Sequence, residues 1–542
     1  MTRKPLALAL IPLLALASAC SRRSQADYDH VPDAAVVADG DAKVDAEGGD
    51  ASVLNPLLDS DSVSSDVDGM IFNGLVRYNP KLQLEGELAK DWKVEQGGKR
   101  IIFHLRPGVK WQDGQPFTSA DVAFTFKALM DPKLASPRKG PFELVRSVEA
   151  PDPLTVVVNY AKPFVPALES WGQGMLPEHL LKGQDLNKAD FNKHPVGTGP
   201  YKFVRWLPNQ SIELAANPDY FEGKPHLKRV LVRIIPDTGT KLMELKAGGI
   251  DSMALSPDQY KNQAQGPEYT GHVRLFRYPS LSTYTYLGFN LAREPFNDKR
   301  VRMALSRAID RQALINAILL GYGKPCTGPY SPGMPAYNQA VKAVPFDLSA
   351  SARLLDAAGW KLGPDGIRAK AGKRLSFALL TNQGNKVRED VAAVLQQQFR
   401  KIGVEAQPQT VEWSLFITQY LDKKNFDVVI MGWQLGLDPD IYDIWHSSKT
   451  HPGEFNFISY KDARVDQLLE QGRTCFDPAR RMAIYREIHA RIAADEPMAF
   501  LFAPDEISAL HKRFHGMLVT DTGIGWYWPL RWYVPRSIQL YP

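Results

Sequence analysis

The sequence predicts an α/β protein built as two or more lobes. At 542 residues the chain far exceeds what one hydrophobic core supports. Between Ser376 and Met431, short apolar or β-branched runs alternate with helical patterns, as in an α/β lobe. The run Phe426-Asp427-Val428-Val429-Ile430-Met431 stops at Gly432 and passes into Trp433 and a polar loop. This is the pattern of a buried strand leaving a sheet.

Composition is that of a soluble globular protein, with 44% hydrophobic and 23% charged residues. There are 65 basic and 60 acidic residues, a net charge of +5. Loss of a leader holding Arg3 and Lys4 would bring it to about +3. That balance argues against nucleic acid as a partner. Eleven Trp and 20 Tyr permit an aromatic-lined cleft.

The first 20 residues have the form of an export leader. Arg3 and Lys4 precede an apolar stretch from Leu6 to Leu16 that is too short for a permanent membrane span. Ala17-Ser18-Ala19-Cys20 resembles the lipobox of bacterial lipoproteins. The resemblance implies a lipid on Cys20 and a tether to a membrane surface. Residues 21–50 are acidic and Ala-rich without apolar periodicity, and read as a flexible tether. Asp39, Asp41 and Asp45 within it lack the spacing of a calcium loop. Cys326 and Cys475 are the only other cysteines. In an exported chain they are a candidate disulfide, and their spacing does not fit zinc.

Order is expected from Ser52 onward. Ser65 to Leu75 reads as a helix and Arg100 to Leu105 as a strand. Thr118 caps a helix, with Asp121 completing its first turn. Strands are expected at Leu154–Tyr160, Tyr201–Trp206, Val230–Ile235 and Tyr284–Asn290, and a helix over Thr238–Ala247. Helices follow at Lys299–Ile309, Leu348–Ala358 and Val387–Ile402, then a strand at Gln407–Val411 and a long helix at Ala479–Ala494. Gly197-Thr198-Gly199 lacks the Lys-Ser/Thr of a phosphate loop. His511 and His515, beside Lys512 and Arg513, read as a charged surface rather than a metal pair.

The loop after Trp433 is the candidate site. Asp438 and Asp440 flank Pro439, and Tyr442 and Trp445 follow. Flat apolar faces beside carboxylates at the end of a strand suit an organic ligand with a cationic or hydrogen-bonding end. The alternative is a turn initiated by Asp-Pro, with Trp433 in the core.

Four blocks in order resemble one family. The first is Leu88-Ala89-Lys90-Asp91-Trp92, leading to Phe103-His104-Leu105-Arg106-Pro107-Gly108 and Ser119-Ala120-Asp121-Val122. The second is Gly197-Thr198-Gly199-Pro200-Tyr201. The third is Gly288-Phe289-Asn290 with Arg300-Val301-Arg302. The fourth runs from Asp427 to Asp440, with Asp466, Arg481, Tyr485 and Pro497 beyond. Together they resemble the periplasmic solute-binding proteins of peptide/nickel-type ABC importers, the oligopeptide- and dipeptide-binding family.

The resemblance implies a two-lobed periplasmic-binding-protein fold of type II, cluster C-like, with an extra domain in the first lobe and a cleft between lobes. Residues 51–75, 191–290 and 503–542 would form domain I, 76–190 domain II and 291–502 domain III. It implies a monomeric receptor that captures a peptide or other small solute and delivers it to membrane permease subunits. No cofactor, metal or catalytic residue is implied. Trp433, Gln434, Leu435, Asp438, Asp440, Ser60, Ser62, Asn382, Gln383 and Tyr284 are the expected ligand contacts.

Peptide binders of this family carry an amine-pairing Asp three residues after this Trp, where this chain has Gly436. Asp438 or Asp440 is then the expected carboxylate, with the ligand as its partner. Competing readings are a metal chelate, haem or oligosaccharide as solute, a secreted hydrolase, or a chaperone-like envelope protein. The hydrolase lacks a G-x-S-x-G or H-E-x-x-H motif.

Overall fold

The computed structural model describes residues 28, 30–518, 520 and 528–541. The leader and Cys20 lie outside them. A twelve-stranded mixed sheet runs through the molecule. Its main path is Glu405–Val411, Ser376–Asn382, Val428–Gln434, Thr283–Phe289, Met498–His511, Ser252–Ala254, Ala42–Glu47, Arg229–Ile234, Ser211–Ala216 and Tyr201–Leu207. Val273–Pro279 and Gly323–Pro325 join it at Met498–His511.

That fourteen-residue strand belongs to both halves. Its first part pairs with Thr283–Phe289, and its last part with Val273–Pro279 and Ser252–Ala254. The sequence reading ended one lobe at Phe502 and assigned no strand here. The chain runs unbroken across that boundary, because Met498 to Ala503 are all buried and all but Leu501, at a register shift, pair in a neighbouring ladder.

The second half is buried on both faces of its sheet. Leu287, Phe289, Val428 and Ile430 pack into one core, and Tyr284, Tyr286, Val429 and Met431 into another. A strand covered on both sides reads as a continuous apolar run rather than an alternating one. Helix Lys386–Arg400 covers the first face with Val391, Leu395 and Phe399.

A separate antiparallel sheet, Ala89–Glu95, Arg100–Leu105, Thr155–Tyr160 and Val145–Asp152, forms an outlying layer of the first half. Helix Ser119–Leu129 packs on it, with the capping box formed as its sequence predicts: Thr118 accepts from an early amide and Asp121 accepts from the Thr118 amide at 2.9 Å. The helix expected over Ser65–Leu75 lies at Ser62–Ile71, started by the side chain of Asp61.

Two expectations fail at the chain ends. Ala42–Glu47 is a strand inside the sheet, not part of a tether. Arg513 is wholly buried rather than on a charged surface, and His511 beside it is nearly so. The two failures share one cause. The Arg513 guanidinium pairs with Asp41, donates to Asp251 at 2.6 and 3.0 Å, and donates to the Ala42 carbonyl at 2.9 Å. A local reading of charge cannot see that the acid and the base come from opposite ends of the chain.

Removing this guanidinium strands Asp41 and Asp251, which are 0% and 2% exposed. We expect Arg513→Ala to cost about 3–5 kcal/mol. Denaturant unfolding checks this; a loss below about 1 kcal/mol would contradict it.

Candidate functional site

Val428–Gln434 delivers the cleft. Gly432, Trp433, Gln434, Leu435 and Gly436 form one wall of a cavity of about 550 Å³. The other wall is Ser60, Asp61, Ser62, Asp66 and Arg138 from the first half. A second cavity of about 710 Å³ shares Ser65, Arg138, Gly436 and Phe455 with it and reaches Asp68, Glu87 and Glu169. A third, of about 280 Å³, extends past Asn382, Gln383 and Arg388. The cleft is therefore built from both halves.

Trp433 is half-buried in its wall. It stacks on Phe457 at 5.9 Å between centroids and meets Phe455 edge-on at 5.5 Å. Its Nε1 has no acceptor among the described residues. A shielded N–H without a partner is costly, and a solute carbonyl in the cleft would satisfy it.

The two loop carboxylates depart from expectation. Asp438 already has an internal partner: Arg481 grips it through two bonds of 2.7 Å. Asp440 lies 3.1 Å from the Arg473 guanidinium and caps Tyr442 N–H at 3.1 Å. The Asp438 carboxylate also accepts from the Asp440 amide at 2.9 Å. Both groups thus have turn and ion-pair partners within the chain while lining the cavities. Helix Pro478–Asp495 supplies Arg481, and helix Ala463–Thr474 supplies Arg473.

Ser60, Ser62, Gln434, Leu435, Asn382 and Gln383 line the cavities as expected. Tyr284 does not. Its side chain is wholly buried against Tyr286 and Phe500. Thr283 and Tyr286 reach the cavity instead.

Cys326 and Cys475 are both free thiols. The buried Cys326 thiol points at the carbonyls of Gly328 and Tyr330, at 3.3 and 3.4 Å, and burial pushes its pKa up to about 12. Cys475 caps the helix Ala463–Thr474 near the surface. Their being the last two cysteines did not bring them together.

Residues 83–454 match the family model described as bacterial extracellular solute-binding proteins, family 5, middle. The chain is 34% identical over 529 residues to the oligopeptide-binding protein AppA of Bacillus subtilis, covering 95% of this chain and 96% of that one. The chain belongs to the family 5 bacterial extracellular solute-binding proteins.

The solved structure of B. subtilis AppA in complex with a nonapeptide superposes with a TM-score of 0.87 at 32% identity, covering 92% of this chain and 99% of that one. NikZ of Campylobacter jejuni in complex with Ni(L-His) superposes at 0.79 with 29% identity, covering 91% and 99%.

In this solute-binding protein the two halves touch across the cleft. Trp413 Nε1 donates to Asp61 at 3.2 Å, and Lys449 Nζ reaches Glu143 at 2.5 Å. The Val165 amide donates to the Arg473 carbonyl at 2.9 Å, and the Arg473 guanidinium lies over the Phe164 ring at 4.8 Å. These contacts describe a cleft held closed.

Closure brings in residues that sequence reasoning missed. Arg388, in the first turn of helix Lys386–Arg400, lines two of the cavities. It donates to Asn382 Oδ1 at 2.8 Å and pairs with no carboxylate among the described residues. Burial lowers its pKa to about 10. Arginine at a helix start reads as a surface charge, so the sequence carried no signal. Asp68 did carry one: it sits four residues before Phe72 and three before Ile71, on the buried side of its helix.

Because Asp438 is held by Arg481, we expect Asp438→Asn to lower stability by roughly 2 kcal/mol. Solute affinity should change by less than about threefold. Thermal melts and calorimetric titration on the same variant check this; unchanged stability with lost affinity would contradict it.

Proposed function

We propose that the protein captures peptides outside the cytoplasm and hands them to the permease of an ABC importer, tethered through a lipid on Cys20. The observation that carries the peptide reading is the cleft. It is closed by both halves, and among the described residues it is lined by an indole N–H without an acceptor and a guanidinium without a carboxylate. Trp433 Nε1 offers a donor for a peptide carbonyl, and Arg388 offers an uncompensated guanidinium for a carboxylate. An extended peptide presents both kinds of group. The likeness to B. subtilis AppA, whose solved complex holds a nonapeptide, supports the same reading. The leader ending Ala17-Ser18-Ala19-Cys20 supports the tether.

Delivery follows from the geometry. A solute that touches both walls stabilises the closed arrangement over an open one by its differential contacts, and a permease can read that difference. No group of three His, Cys, Asp or Glu side chains that could hold a metal occurs among the described residues. This favours a peptide over a bare metal ion as solute.

The test is at Arg388. Arg388→Gln should weaken a peptide with a free C-terminal carboxylate by more than tenfold, about 2–5 kcal/mol, and leave its C-terminally amidated analogue unchanged. Calorimetric titration of both peptides decides it. Equal losses for the two would remove Arg388 from carboxylate recognition, and absence of binding by any peptide would overturn the peptide reading.

A further inference from the structure

The larger cavity is acidic beyond what its own chain neutralises. Of the carboxylates that line it, Asp59 is paired with Arg138 at 2.5 Å, Asp438 with Arg481, Asp440 with Arg473, and Asp443 lies 3.7 Å from the Lys449 ammonium. Glu87 accepts from Asn73 at 2.8 Å and from the Gly74 amide at 3.0 Å, with Arg77 at 3.7 Å. Asp68 and Glu169 have no cation partner among the described residues.

Asp68 is the decisive group. It is 3% exposed, lines the cavity, and neither of its carboxyl oxygens has a hydrogen-bond partner among the described residues. The Asn55 amide lends it only weak support. Burial, then the charge of Asp59, pushes its pKa well up. Burial and the charge of Asp438 push Glu169 up to about 7, although the Tyr78 hydroxyl bonds to it. Arg138 acts on Asp68 and Arg481 on Glu169 from a distance, but neither forms an ion pair with it among the described residues, so holding both groups ionised in a closed cleft calls for a further positive charge. Tyr78 and Phe455 add flat faces to the same cavity, and aromatic faces accept organic cations. No metal-binding set of three side chains is present among the described residues, so the missing charge fits an organic ammonium or guanidinium.

We infer that this chamber is a seat for a cationic group of the solute, with Asp68 and Glu169 as its specificity-determining residues. The inference rests on the reading of the cleft as a peptide site and narrows it. The protein selects peptides carrying a positive charge in the chamber, while the Trp433 wall holds the backbone. Asp68 lines the chamber from helix Ser62–Ile71, and Gly436 and Asp438 of the loop after Trp433 line it too. Both an α-amine and a Lys or Arg side chain have the required chemistry.

The experiment is calorimetric titration of the mature protein, Asp68→Asn and Glu169→Gln with matched alanine-rich peptides. One peptide carries a central lysine, a second norleucine in its place, and each is made with a free and an acetylated N-terminus. Asp68 lacks a partner to lose, so Asp68→Asn should melt no lower than the wild type, and Glu169→Gln is the second variant if it does. We expect the wild type to prefer a cationic peptide over the acetylated norleucine peptide by more than tenfold, and each variant to lose most of that preference. If the acetylated lysine peptide keeps the preference, the side chain is the cation; if only unacetylated peptides show it, the α-amine is.

Identical preference in the wild type and both variants would overturn the proposal. Argininamide separates it from the peptide reading. If no peptide binds but argininamide raises the melting temperature of the wild type and not of Asp68→Asn, the peptide reading falls and the seat stands. If neither peptides nor argininamide bind, both fall.

Discussion

A single strand, Met498–His511, is shared by both halves of the molecule, and the cleft depends on it. It carries the ladder of one half into the ladder of the other, so the two walls meet at a fixed register. The chain ends are locked onto the same construction by Arg513 with Asp41 and Asp251. Ladder pairing between the halves is concentrated in this seam. The cleft contacts are few and polar by comparison: Trp413 to Asp61, Lys449 to Glu143, and Arg473 to the 140–165 region. A seam of ladder pairing with a lightly latched opposite edge is the mechanical condition for closure by rigid-body movement.

Closure has an electrostatic consequence. Bringing the walls together removes water from groups that were stable only while hydrated. Where the chain supplies a counter-ion, as Arg481 does for Asp438, the pair is structural and holds the loop in shape. Where the described residues supply no counter-ion, as at Arg388, Asp68 and Glu169, or no acceptor, as at the Trp433 Nε1, the closed cleft carries a cost that a complementary solute would relieve. The distinction between a scaffold charge and a recognition charge is thus whether its partner lies in the chain. On that distinction the acids of the loop after Trp433 shape the wall, and the recognition we propose falls to groups on the helices Lys386–Arg400 and Ser62–Ile71.

Much of the architecture was legible in the sequence because local chemistry enforces it. The Thr118 and Asp121 capping box, helix Thr238–Ala247, and the strand leading to Trp433 follow from short-range patterns that tertiary packing reinforces. Trp433 was singled out by the pattern of its strand and loop, and Ser60, Ser62, Asn382 and Gln383 by the resemblance; all of them, with Gln434 and Leu435, line the cleft. What failed was long-range in origin. Ala42–Glu47 looks like solvated linker until Arg513 is brought to it. Tyr284 shares a strand face with the cavity-lining Tyr286 but is sealed off behind Tyr286 and Phe500, which local sequence does not show. Asp438 looked free because its partner is 43 residues further on. Cys326 and Cys475 were joined by elimination, and elimination carries no geometry.

The central claim is that this closed cleft holds one small peptide whose charges complete those of its walls. Native mass spectrometry of the protein purified without denaturation tests it most directly. The account predicts a one-to-one complex whose released ligand is a short peptide bearing a positive charge. A bound non-peptide solute, or several long unfolded chains per protein, would contradict it.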